Sequence, residues 1–220
     1  MIPVVQAKKP KTFDDNVRKP GLRAIAEMVG KPSPYPRTAG KPFKPIATRE
    51  KDIPAENFPA YWTAALDDLM SAYGEICAYS CFRIHPVTGA RSADHFAAKS
   101  RHWRAAYQWS NYRLCCSRLN SRKNDISTVL DPFKIRAGWF EMELLGFQII
   151  PGSSITSADI EQQVQDTITT LGLNDFCRDR EKDAERYWNN GYSLQVLREE
   201  SPFVAYELWR QNRLKPGDIW

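Results

Sequence analysis

Residues 90–125 read ARSADHFAAKSRHWRAAYQWSNYRLCCSRLNSRKND. Within them Asp94 and His95 stand side by side. Asn111 follows sixteen residues after the histidine, and Asn120-Ser121-Arg122-Lys123 begins nine residues later. A carboxylate beside a histidine, a downstream asparagine and a helical Asn-x-x-Lys are the parts of a site that hydrolyses a phosphodiester with one metal ion. A histidine, with an unperturbed pKa near neutrality, can take the proton of an attacking water. A divalent cation can clamp the scissile phosphate and hold charge on the leaving oxygen. A hard cation such as Mg²⁺ wants oxygen ligands and keeps several waters, so a carboxylate plus an amide carbonyl is an adequate protein share.

The flanking residues predict where these groups sit. The apolar-rich runs Cys77 to Ile84 and Ser92 to Phe96 surround His85-Pro-Val-Thr-Gly89, a Pro/Gly turn signal. They predict a hairpin with Asp94 and His95 at the end of a strand. Arg113 to Arg122 reads as a helix, with Cys116, Leu119, Asn120 and Lys123 at three- and four-residue spacings. Asn120 and Lys123 then share a face.

With Tyr107-x-Trp109-Ser110-Asn111-Tyr112 included, the stretch from about Ile76 to Asp125 resembles the HNH endonucleases, whose small fold is called ββα-metal. The resemblance implies that His95 is the general base and Asp94 the first metal ligand. It implies that Asn111 constrains the loop carrying the base and orients the histidine. Asn120 stands at a position often held by histidine in that family, and would ligate through its carbonyl oxygen. Lys123 matches a trailing lysine, read as a phosphate contact. Lys99 matches a lysine after the histidine, although the usual preceding proline is Ala98 here. Lys99, Arg101, Arg118, Arg122 and Lys123 form the expected nucleic-acid-binding set, and Mg²⁺ or Mn²⁺ the expected cofactor.

Many HNH proteins also carry two Cys-x-x-Cys knuckles around a structural zinc. Here the first reads Cys77-Ala78-Tyr79-Ser80-Cys81 and the second Cys116-Ser117-Arg118-Leu119, so serine and leucine stand at expected ligand positions. Cys77, Cys81, Cys115 and Cys116 remain as candidate thiolates, since tetrahedral zinc tolerates some variety of spacing. Adjacent cysteines serve one ion only with strain, so no structural zinc is expected, and Leu119 and Phe82 are read as its apolar replacement. An odd number of cysteines, five, and no signal-like segment lead to an expectation of a reduced, cytoplasmic protein without disulfides.

Charge is unevenly spread along the 220 residues. Residues 1–50 hold 11 Lys/Arg against 4 Asp/Glu, and residues 77–124 hold 9 against Asp94 alone. The net charge of +5 therefore conceals an acidic remainder. Basic charge on the candidate catalytic segment and ahead of it suits a polyanionic partner, nucleic acid; DNA is expected ahead of RNA, although charge does not distinguish the two. No apolar run approaches membrane-spanning length, so no membrane partner is expected.

The expected fold class is α+β: a ββα-metal HNH module embedded in a mainly helical domain, behind an extended Pro/Lys-rich N-terminal arm. Residues 1–50 contain eight of the fifteen prolines and are read as that arm, with one short helix at Leu22 to Val29. Residues 51–130 hold a helix, Phe58 to Tyr73, and the module. Its apolar stripe (Phe58, Trp62, Leu66, Leu69, Met70, Tyr73) is read as core. Residues 131–220 are read as a strand pair, Gly138 to Leu144 with Phe147 to Ile150, then acidic helices. Those helices are predicted from about Asp159 to Leu171, Asp175 to Glu200 and Pro202 to Leu214. A protein partner is expected on the acidic surface.

The order of these features also looks like the HNH effectors of bacterial anti-phage systems, the Septu and retron-associated PtuB-like proteins. That likeness implies an ATPase partner of the same defence system. The expected function is a metal-dependent endonuclease; the alternative is a non-catalytic nucleic-acid-binding or scaffold module on a decayed HNH fold. Oligomeric state, trigger and sequence preference are left open.

Overall fold

The structure, a computed structural model, describes residues 1–37 and 39–220. Thr38, inside the predicted arm, lies outside the described residues. Strand β1 (Arg91–His95) pairs antiparallel with β2 (Tyr112–Cys116), and helix α3 (Ser117–Lys123) follows at once. The register sets Asp94 opposite Arg113 and His95 opposite Tyr112. Asp94 and His95 thus end a strand, as predicted, but the partner strand differs. Cys77 to Ile84 contributes only the isolated bridge Ile76 to Arg83. Cys81 adopts a left-handed backbone (φ 57°) and donates its N–H to the Cys77 carbonyl, which curls the segment instead of extending it. Arg113 to Cys116 is strand, not helix. Four of the five β2 residues are buried, so covering elements on both faces erase the alternation that marks a half-buried strand.

The N-terminal fifty residues are not a free arm. A π-helical turn (Asp14–Arg18) leads into α1 (Lys19–Met28), longer than the predicted helix. Phe13, Val17, Ala24, Ile25 and Met28 are all buried. The preceding segment is pinned by backbone: Val4 N–H donates to the Pro132 carbonyl, Ala7 N–H to Tyr73 Oη, and Trp109 Nε1–H to the Ala7 carbonyl. Apolar burial outweighs the prolines here, because each fixes φ in a value compatible with a packed, extended path.

Helix α2 (Leu66–Ala72) is preceded by a 3₁₀ turn, Tyr61–Ala65. The single helix predicted from Phe58 fails at Pro59, yet Phe58, Leu69 and Met70 are buried as expected. Strands β3 (Phe140–Met142) and β4 (Ile149–Pro151) form the predicted second pair. Helix α4 (Ala158–Leu171) ends at Gly172, whose φ of 57° suits a left-handed cap. The predicted long charged helix is two, α5 (Cys177–Trp188) and α6 (Leu194–Glu200), before α7 (Pro202–Arg210). At the break Asn190 turns left-handed (φ 62°), and Gly191 and Tyr192 N–H groups both donate to the Arg186 carbonyl. Ser193 then caps α6 by accepting the Val196 N–H.

One apolar core runs through all three predicted segments, from Met1 and Phe13 through Leu69, Leu114 and Leu119 to Val164 and Leu208. The chain is α+β, with two small antiparallel pairs among helices. Among the described residues no helix is long and apolar enough to cross a membrane.

Gly21 lies where α1 crosses the Tyr107 ring; an added Cβ would stand 2.3 Å from that ring. In an exposed helix Gly→Ala stabilises by roughly 1 kcal/mol. Gly21→Ala should instead destabilise by about 1–3 kcal/mol, the cost of overpacking a core, measured by urea unfolding. A stabilised variant would mean that α1 does not pack on Tyr107.

Candidate active site

Asp94 faces inward from β1 and is only 1% exposed. Its carboxylate accepts from the Tyr79 hydroxyl at 2.5 Å and pairs with the Lys123 ammonium at 3.0 Å. Lys123, at the last position of α3, has no exposed surface and also donates to the carbonyls of Phe96 (3.2 Å) and His95 (3.4 Å). Burial pushes the Asp94 carboxyl above the ordinary range, while Lys123 and Tyr79 pull it back. Lys123 is therefore an internal counter-ion that ties α3 to the end of β1. It is not placed for the phosphate contact expected of it.

His95 ends β1 with its ring edge-on to Trp62, centroids 4.6 Å apart at 88°, and edge-on to Tyr112 at 5.1 Å. Its Nε2 lies 3.0 Å from the Ala106 carbonyl oxygen. A carbonyl can only accept, so Nε2 carries the proton and Nδ1 keeps a free lone pair. Nδ1 has no hydrogen-bond partner among the described residues. Burial, with a smaller push from Lys99, lowers the imidazole pKa to about 4. The ring is a neutral base at neutral pH.

Asn111 sits between a short 3₁₀ turn and β2 and is buried. Its Oδ1 accepts the Ala97 N–H at 2.7 Å, and its Nδ2 donates to the carbonyls of Ala97 (3.0 Å) and Ala105 (3.1 Å). The Phe96 N–H donates to the Asn111 carbonyl at 2.9 Å. All these partners are backbone, so Asn111 ties together the two ends of the loop that follows His95. On α3, Asn120 Nδ2 donates to Ser92 Oγ at 2.7 Å, which leaves Oδ1 as its open donor atom.

These groups meet in one cleft of about 380 Å³, lined by Asp94, His95, Lys99, Asn120, Trp62 and Asp125 among others. Asp94 and Asn120 are hard oxygen donors, suited to a cation that keeps most of its waters. Among the described residues no three His, Cys, Asp or Glu side chains converge as a metal-binding group. Of the four candidate zinc cysteines, Cys77 and Cys116 lie thiol to thiol, with Cys81 and Cys115 near Cys77. Cys115 Sγ lies 3.8 Å from the Ser92 carbonyl, Cys77 Sγ accepts the Ser80 N–H at 3.5 Å, and Cys81 sits beside the chain's first residues. Leu119 is fully buried, and Phe82 packs on Phe176.

The expected nucleic-acid set divides. Lys99 lines the cleft, and Arg101 is exposed with Asp125 at 3.8 Å. Arg118 and Arg122 instead reach Asp175 at 3.2 and 2.5 Å, and Arg122 also donates to the Leu171 and Gly172 carbonyls. They join α3 to the C-terminal helices, a correction with a plain cause: the acidic segment folds back onto the basic one. The aromatic residues Tyr107, Trp109 and Tyr112 are buried and pack internally; Trp103 is half-buried.

Sequence reading missed the residues that support the site. Arg113 is buried, holds Asp131 through two 2.8 Å bonds, and stacks 3.6 Å from the Phe133 ring centroid. An arginine inside the apolar run Tyr-Arg-Leu-Cys-Cys was the available signal, since a buried charge needs a partner. Tyr79 and Trp62 gave none. No family model matches this chain, and no curated protein matches it.

Lys123→Met would strand a buried carboxylate and should cost about 3–5 kcal/mol in urea unfolding, with much of the loss recovered in Lys123→Met/Asp94→Asn. A surface lysine would leave the melt unchanged. In nitrogen NMR at pH 6, His95 should be neutral and protonated on Nε2, whereas a free histidine is mostly charged there. A charged His95 at that pH would remove it as a base.

Proposed function

We propose that the chain is a metal-dependent endonuclease of HNH type, hydrolysing phosphodiester bonds in nucleic acid, DNA in preference to RNA. One observation carries this reading: the His95 ring is fixed through Nε2–H to the Ala106 carbonyl, which leaves Nδ1 unbonded in a ring that lines one cleft with two oxygen ligands, Asp94 and Asn120. Nδ1 of His95 takes the proton of a water as it attacks phosphorus, leaving a 5′-phosphate and a 3′-hydroxyl. Asn111 holds the loop on which that ring depends, through backbone bonds alone. The Lys99 ammonium meets a phosphate oxygen at the cleft. Mg²⁺ or Mn²⁺ on Asp94 and Asn120 would supply charge for the scissile phosphate and the departing oxygen.

The second reading, a non-catalytic nucleic-acid-binding module, has one observation in its favour. Lys123 already neutralises Asp94, so a cation there shares the carboxylate with an ammonium. The biological setting we propose, an effector of an anti-phage system held by an ATPase, rests on the order of sequence motifs alone.

Supercoiled plasmid and total RNA, each incubated with Mg²⁺, Mn²⁺ or EDTA, test the two readings. Cutting should need metal and fall by about 10²–10⁴-fold in His95→Ala, the usual weight of a general base. Asp94→Asn should shift the metal titration to higher concentration. Equal cutting by His95→Ala would end the mechanism, and salt-sensitive binding without turnover would favour the second reading.

A further inference from the structure

The wall of the cleft that faces α3 comes from outside the strand–strand–helix unit. Trp62 belongs to the turn Tyr61–Ala65, ahead of α2, and lines the cleft with His95 and Lys99. The Lys99 ammonium lies over the Trp62 ring, 4.3 Å from its centroid. Tyr107 backs the same indole at 28° and 6.2 Å, and is itself held by its hydroxyl on the Pro59 carbonyl at 2.8 Å. The edge contact with His95 completes a three-sided setting. Trp62 thus has fixed neighbours on every side that matters to the cleft.

Lys99 differs from the other cations of this region. Lys123 is paired with Asp94, Arg118 and Arg122 share the single carboxylate of Asp175, and none of the three lines the cleft. Among the described residues Lys99 has no ion pair, and it is the one cation lining the cleft. A lysine is a compact charge on a flexible stem, and an aromatic face is a surface that attracts it without neutralising it. An ammonium held in this way keeps its charge available for an anion.

We infer that Trp62 is a positioning residue: its ring holds the Lys99 ammonium at the mouth of the cleft, where a phosphate of the substrate strand meets it. This rests on the nuclease reading and extends it to a residue outside the Asp-His, Asn and Asn-x-x-Lys segment. It gives the turn Tyr61–Ala65 an indirect part in substrate contact, through Lys99. Trp62→Phe retains an aromatic face and should retain function, whereas Trp62→Ala leaves Lys99 free to swing into solvent.

The test uses the full chain and a labelled duplex DNA in EDTA, so that binding is read without cutting. Trp62→Ala should weaken binding about three- to fivefold. It should also lower the salt slope of binding by about one phosphate contact, as should Lys99→Met. Trp62→Phe should stay near wild type, and Trp62→Ala/Lys99→Met should bind no worse than Lys99→Met alone. Additive losses, or a Trp62→Ala protein with wild-type affinity and slope, would overturn the inference. A second readout is independent of nucleic acid: labelling of the Lys99 amine by an amine-reactive reagent, followed by mass spectrometry. It should accelerate in Trp62→Ala and not in Trp62→Phe. Absence of DNA binding by the wild type would sink the nuclease reading, and unchanged labelling would then sink the role of Trp62 as well.

Discussion

The Asp94–Lys123 pair, sealed by the Tyr79 hydroxyl, is the contact on which the candidate site depends. Two opposite charges with almost no exposed surface are stable only as a set, because the loss of either leaves the other uncompensated in a poor solvent. The set joins three pieces of chain: the Cys77–Cys81 turn through Tyr79, β1 through Asp94, and α3 through Lys123. Lys123 also bonds the carbonyls of His95 and Phe96, so the strand end that carries His95 is held by the helix that carries Asn120. Lys123 supplies the positive charge that the buried carboxylate requires.

Around that pair the loop between β1 and β2 is held almost wholly by main-chain acceptors. Asn111 grips Ala97 and Ala105, and the Ala106 carbonyl holds His95 and also the Tyr112 hydroxyl. Arg113 closes the far side through Asp131 and two phenylalanine rings. A loop fixed at so many points holds an imidazole in one tautomer, and the burial that fixes it also keeps it uncharged. Orientation and neutrality therefore have one physical origin, the exclusion of water from the His95 ring.

Much of this chemistry was legible in residues 90–125. The Asp-His pair ends a strand and Asn120 lies on a helix, as the pattern of the sequence predicted. The second strand pair and α4 were legible too, because period-two and 3.6-residue patterns survive where one face is exposed. β2 was not, since burial on both faces removes the pattern and leaves an apolar run open to either reading. The fate of the basic residues was equally hidden. Composition shows that Arg118, Arg122 and Lys123 are positive, but only their neighbours in space show that Lys123 is paired with buried Asp94 and that the two arginines share Asp175.

By itself the sequence determined the residue types of the site, their order, and the helical and strand segments whose side chains alternate between core and water. Those follow from local geometry and from the chemistry of single side chains. Tertiary structure decided which strand pairs with β1, that the proline-rich N-terminal segment packs into the core, that Trp62 lines the cleft and that Tyr79 bonds Asp94. These outcomes depend on contacts between residues far apart in the chain. Their free energy comes from burial and from pairing charges in a low-dielectric interior, and neither is encoded in any short window of sequence.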